Sequence, residues 1–138
     1  MVITEEIKFS TQGHTDIINL SSQIEELVSQ AELTSGIACL FVPGTTGVLT
    51  TLEFEPGLVN DIKKYWEQIA NSRAVYEHNA RWGDGNGYAH VRAAAVGPSL
   101  VVPIVDGKLV LGTWQDIVFI DFDNRPRSRT IIVQMVGE

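Results

Sequence analysis

Leu100-Val-Val-Pro-Ile-Val-Asp-Gly107-Lys-Leu-Val-Leu-Gly112-Thr-Trp-Gln-Asp116-Ile-Val-Phe-Ile-Asp-Phe-Asp-Asn124-Arg-Pro-Arg-Ser-Arg129-Thr-Ile-Ile-Val-Gln-Met-Val136 reads as strand, turn, strand, turn, strand. Leu100–Val105, Leu109–Asp121 and Arg129–Val136 carry the β-branched and aromatic residues that suit a pleated, half-buried surface. Asp106-Gly107 is a dipeptide that favours a tight hairpin. Three strands at one end of a short chain make a sheet the organising element.

The preceding segments add strands and helices in no βαβ alternation. Ile3–Ser10 and His14–Leu20 read as extended pieces. Ser22 and Glu25 have capping-box spacing, and Ile24, Leu27, Val28 and Ala31 then share one face of a helix over 22–32. Gly36–Val42 is a continuous apolar run, Pro43–Gly47 a turn, and Val48–Phe54 its expected hairpin partner. Pro56-Gly57 opens a second helix whose stripe of Leu58, Ile62, Trp66 and Ile69 points to core packing. His90–Val96 suggests a short third helix ending at Gly97-Pro98. The expectation is one α+β domain over 1–138, with about seven strands and two or three helices covering part of the sheet surface.

Composition narrows the function. The net charge of −7 lies in residues 1–70, which hold 3 basic and 10 acidic residues, so the chain lacks the basic surface that nucleic acid requires. No apolar run approaches the roughly 20 residues of a membrane span, and the N-terminus lacks the order of a signal peptide. A cytoplasmic protein with no nucleic-acid or membrane partner is expected. The one cysteine, Cys39, cannot form an internal disulfide and reads as a buried, inert thiol.

The chemistry concentrates in Tyr76-Glu-His-Asn-Ala-Arg-Trp-Gly-Asp-Gly-Asn-Gly-Tyr-Ala-His90, expected to be a polar loop on a rigid scaffold. His78 and His90 are candidate ligands of a zinc-like ion, with Glu77 or Asp84 as an oxygen ligand, or else hydrogen-bonded loop histidines. His14 is isolated and reads as structural. Glu53 and Glu55 would share one face if their strand continued. Paired carboxylates there could hold a cation or divide acid and base roles, or could simply be a solvated strand end. The Asp84–Gly87 turn, with Asp84 and Asn86, could cradle an anion. Arg125, Arg127 and Arg129 could grip phosphate, or could pair with Asp116, Asp121 or Asp123.

Several segments together resemble the YjbQ family, also called secondary thiamine-phosphate synthase proteins. They are Pro43-Gly44-Thr45-Thr46, Thr51-Leu52-Glu53, Tyr76–Asn79, Asp84–Gly87 through Ala89-His90-Val91, and Gly97-Pro98-Ser99. Asp106–Leu109, Leu111-Gly-Thr-Trp-Gln115 and Arg125-Pro-Arg-Ser-Arg129 complete the set, so the likeness spans nearly the whole chain. The resemblance implies a seven-stranded sandwich of two sheets, assembled as a homotrimer. It also implies a polar pocket around Glu53, His78 and His90 that can take a divalent metal. Its namesake activity joins a pyrimidine diphosphate to a thiazole phosphate. Gly44 departs from a His-Thr-Thr or His-Thr-Ser pattern that the resemblance leads one to expect. With His78, His90 and carboxylates alone, a metal site would bind zinc more weakly or favour magnesium or manganese.

Two functions follow. One is an enzyme acting on a small phosphorylated molecule, with Glu53, His78 and His90 catalytic or metal-binding and Asp84, Asn86, Arg125, Arg127 and Arg129 holding substrate. The other is a non-catalytic trimer that binds a metal or phosphometabolite, a reading helped by the lack of an activated nucleophile. A purely structural role would leave the costly polar segment without a use.

Overall fold

The computed structural model describes residues 1–138. In chain order it contains β1 (Val2–Thr11), β2 (Asp16–Asn19), α1 (Ser21–Gln30), β3 (Ser35–Phe41), β4 (Gly47–Leu52), α2 (Pro56–Ile69), α3 (Glu77–Trp82), α4 (Gly87–Val96), β5 (Ser99–Val105), β6 (Lys108–Leu109), β7 (Asp116–Asp121) and β8 (Arg127–Gly137). One sheet runs β1-β8-β3-β5-β6 and the other β2-β7-β4, with every pairing antiparallel.

β7 is the hinge of the architecture. Its alternate residues Ile117 and Phe119 join the core between the sheets, which also holds Ile24 and Val28 of α1. Val118, Ile120 and then Phe122 face the other way, into a second core with Tyr88, Ala89 and Ala93 of α4. A strand buried on both faces needs an almost unbroken apolar run, and Ile117–Phe122 supplies one apart from Asp121. The layers are therefore sheet, sheet, then helices α2 and α4. No helix is long and apolar enough to cross a membrane.

The α+β, two-sheet expectation holds, with eight strands and four helices in detail. The expected strand Leu109–Asp121 divides because Gly112–Gln115 closes a turn, the Gly112 N–H donating to Gln115 Oε1 at 2.8 Å. Its halves, β6 and β7, enter different sheets. The expected β3–β4 hairpin does not form. The Pro43–Gly47 turn instead carries the chain from one sheet to the other, and Gly47 lies so close against the Phe119 ring that a Cβ would collide with it.

Local details also shift. Gly13, His14 and Thr15 all have positive φ, so the second strand starts only at Asp16, and His14 serves as an exposed turn residue. The capping box is absent. The Ser21 N–H donates to Asn19 Oδ1 at 3.0 Å and Ser21 Oγ accepts from the Ile117 N–H at 2.8 Å, which starts α1 one residue early. On α2, Val59, Ile62 and Trp66 pack on the second core, whereas Ile69 is 60% exposed. Cys39 is half-buried rather than fully buried, on the outward-facing side of β3.

Candidate functional site

The segment expected to be a loop folds into two short helices, and this brings its histidines together. Gly83, at φ 70°, ends α3 in the left-handed region that favours glycine. Across the turn, the Gly87 N–H donates to Asn79 Oδ1 at 2.8 Å. A Cβ on Gly87 would stand 2.7 Å from Tyr76 Cβ, so the close approach of α4 to the start of α3 requires a residue without one. His78 on α3 and His90 on α4 then lie with ring centroids 4.3 Å apart and planes tilted by 36°.

Burial and the neighbouring His78 charge hold the His90 pKa below the ordinary imidazole value, in that order, against the opposing pull of Asp123 and Asp84. His90 therefore favours the neutral form at pH 7, in which one ring nitrogen can accept a proton. His78 Nδ1 is buried without a hydrogen-bond partner, and the nearest carboxylate oxygen, Asp84 Oδ1, stands 3.7 Å away.

His90 borders an open cleft of about 360 Å³ walled by Gly44, Thr45, Gly47, Ala93, Ala94, Gly97 and Pro98. Small residues form most of the wall, so backbone and short side chains define its shape. Gly44, the position at which the sequence departs from the expected pattern, thus lies in the same cleft as His90.

A buried ionic cluster supports this cleft. Asp121 and Asp123 are fully buried. Arg129 grips Asp121 with Nε at 2.7 Å and Nη2 at 2.9 Å, and Nη2 also donates to Thr46 at 2.8 Å. Arg127 Nη1 donates to Asp123 Oδ2 at 2.6 Å. Burial alone would raise the Asp123 pKa. Hydrogen bonds from the Asn124 N–H, Asn86 and Thr46, with the Arg127 charge, outweigh it and hold the pKa below the usual carboxylate value. Asn86 precedes α4 directly, so its bond to Asp123 at 3.3 Å links the cluster to the helix that carries His90.

The sequence-predicted residues are thus sorted. His78, His90 and Asp84 come together, while Asn86 faces the ionic cluster and Asp84 offers its carbonyl to Asn124. Arg127 and Arg129 take the aspartate-pairing alternative, and Arg125 remains exposed. Glu53 and Glu55 do not form a strand-face pair, because β4 ends at Leu52. Glu55 instead caps α2, accepting from the Gly57 and Leu58 N–H groups at 2.8 Å each, while Glu53 is exposed. Nowhere do three or more His, Cys, Asp or Glu side chains converge as a metal-holding group. An open zinc site needs three converging protein ligands, and here only the two imidazoles are in contact.

Arg92 had no assigned role in the sequence. It is 1% exposed, spans from α4 to the Ala70 carbonyl at the end of α2, and also reaches Thr15 and Glu67. Its guanidinium lies 4.8 Å from the Tyr88 ring centroid, and the i, i+4 spacing of Tyr88 and Arg92 was the available signal.

The fold and cleft define a class: a two-sheet α+β protein with a histidine pair of which His90 lines a cleft, braced by a buried Asp–Arg cluster. The family model described as UPF0047 protein YjbQ-like matches residues 5–138, and the chain belongs to that family. A UPF0047 protein from Archaeoglobus fulgidus is 38% identical over 129 residues, covering 94% of this chain and 98% of that one. UPF0047 protein YugU of Bacillus subtilis is 33% identical, covering 95% and 97%. Among solved structures, a YbjQ-like protein of unknown function from Sulfolobus solfataricus superposes with a TM-score of 0.95 at 31% identity, covering 100% of this chain and 99% of that chain.

Proposed function

We propose that the protein is an enzyme acting on a small phosphorylated molecule, with His78 and His90 as its acid–base pair. The observation that carries this reading is the contact between the two rings beside the open cleft, with His90 biased towards neutrality. A neutral imidazole can take a proton from substrate while its neighbour donates one. The reaction implied by the family resemblance, thiamine phosphate formation, is the first to assay. Glu53 is exposed and stands outside this pair.

The test compares the wild type with folded His78→Ala and His90→Ala variants on a pyrimidine diphosphate plus a thiazole phosphate, then on other phosphate esters. Loss of turnover by a hundredfold or so in each variant, the usual scale of acid–base catalysis, supports the reading. Full activity in both variants removes it. Tight binding without turnover would favour the second reading, a phosphometabolite-binding protein. That reading draws on the lack of an activated nucleophile in the sequence.

A homotrimer is part of the same proposal. The outer face of the five-stranded sheet carries Ile37, Phe41, Val101, Val105 and Val136, all exposed and none covered by a helix. Contiguous apolar surface of this kind suits burial against other copies of the chain. Phe41→Glu should lower the mass measured by sedimentation to that of a monomer; an unchanged mass places any interface elsewhere.

A further inference from the structure

We propose that Arg129 is the phosphoryl anchor of the cleft, acting through Nη1 across Gly44. This rests on the reading of the cleft as the substrate site, and it assigns where the anionic end of the ligand lies.

Arg129 is 6% exposed and its fork is only partly committed. Nε and Nη2 make the hydrogen bonds to Asp121 and Thr46, and none of these uses Nη1. Nη1 makes no hydrogen bond within the protein yet is not fully enclosed, so an acceptor from outside can reach it. Gly44 explains what can reach it. A Cβ on Gly44 would stand 3.4 Å from Arg129 Nη1 and 3.9 Å from Val42 Cγ2, with nothing else within 4 Å. Gly44 is absent from the positive-φ glycines, so backbone conformation does not demand glycine there. What its missing side chain leaves is free space between Gly44, which lines the cleft, and Nη1.

The surroundings suit an oxyanion. Asp121 and Asp123 are balanced by Arg127 and Arg129, so the cluster presents an oriented donor without net negative charge. Asp121 fixes the guanidinium plane from the opposite edge, which leaves little side-chain entropy to be lost on binding. Thr45 lines the cleft next to Gly44, and His90 lines it as well. A tetrahedral phosphoryl group has enough oxygens to meet Nη1 and a second donor at once.

Gly44→Ala tests this without disturbing Arg129. Its methyl group would make an ordinary contact with Nη1 and shield it, leaving the Asp121 pair and both histidines in place. Inorganic phosphate, and acetate as a second probe, would be titrated into wild type, Gly44→Ala and His90→Ala, following the Arg129 Nε–H and His90 ring signals by NMR. Phosphate should move both signals in the wild type. It should bind Gly44→Ala about tenfold more weakly, the scale of one charge-assisted hydrogen bond, with an unchanged melting temperature. Acetate should bind more weakly than phosphate.

Equal phosphate affinity in Gly44→Ala, an Arg129 signal that phosphate leaves unmoved, or acetate binding as well as phosphate would each overturn the anchor. A His90 response alone would discard the anchor while keeping the cleft as the ligand site. An Arg129 response abolished by Gly44→Ala, with His90 silent, would keep the anchor and sink the histidine reading.

Discussion

Asp121→Ala should be among the most damaging single changes in the chain. Asp121 is fully buried, takes two hydrogen bonds from Arg129, and accepts further bonds from Thr11 Oγ1 at 2.6 Å and the Asp123 N–H at 3.0 Å. Removing it leaves a guanidinium in the space between the sheets, where water cannot reach its whole edge. Breaking a buried ion pair from one side costs about 3–5 kcal/mol, a large share of the roughly 5–15 kcal/mol that holds a domain folded. Replacing both partners by apolar residues, Asp121→Leu with Arg129→Met, removes the stranded charge and should recover most of that loss. Urea unfolding of the wild type, Asp121→Ala, Asp121→Leu, Arg129→Met and the double variant gives the coupling directly, at one fixed protein concentration so that association does not enter. A loss below about 1 kcal/mol for Asp121→Ala, or a double variant no more stable than the single one, would show that the cluster does not carry its expected weight.

Other predictions follow from neighbouring residues. The Asp123 pKa lies below the ordinary carboxylate value, so its contribution is complete above the unfolded value and is lost as pH falls through the depressed folded value. Stability against pH should slope downward on acidification, and Asp123→Asn should flatten that slope while lowering stability at neutral pH. Arg92→Met removes the bonds to the Ala70 carbonyl and Thr15. It should cost about 1–3 kcal/mol and speed hydrogen exchange at the end of α2; protection unchanged there would refute its role as a tie. Divalent zinc or magnesium, titrated into the isolated chain, should bind more weakly than at a site with three protein ligands. Stoichiometric metal surviving dialysis would show that ligands beyond His78 and His90 converge.

Much of the fold could be read from the sequence because each strand carried its own pattern. Leu100–Val105 and Ile131–Val136 are almost wholly apolar and rich in β-branched residues, and Ile117–Phe122 is apolar apart from Asp121, as a strand between two cores must nearly be. Sheet membership was not legible. Pro43–Gly47 has the composition of a hairpin turn, yet it crosses between layers, and only the packing of Gly47 on Phe119 decides that. The polar segment after Tyr76 was recognisable as the most chemically rich stretch but not as two helices, because its helix ends rest on Gly83 at positive φ and on the Asn79–Gly87 bond. The arginines were seen and their partners named as one alternative. Which alternative holds depends on Asp121 pointing between the sheets, a matter of register.

Imidazole titration by NMR, in the wild type and in His78→Ala, tests the central claim most directly. In the wild type, His90 should titrate below an ordinary histidine. In His78→Ala its pKa should move upward, because a like charge is removed and its burial is reduced. His90 titrating at the ordinary value in both proteins would mean that the two rings do not form a coupled pair, and the acid–base site built on them would fail.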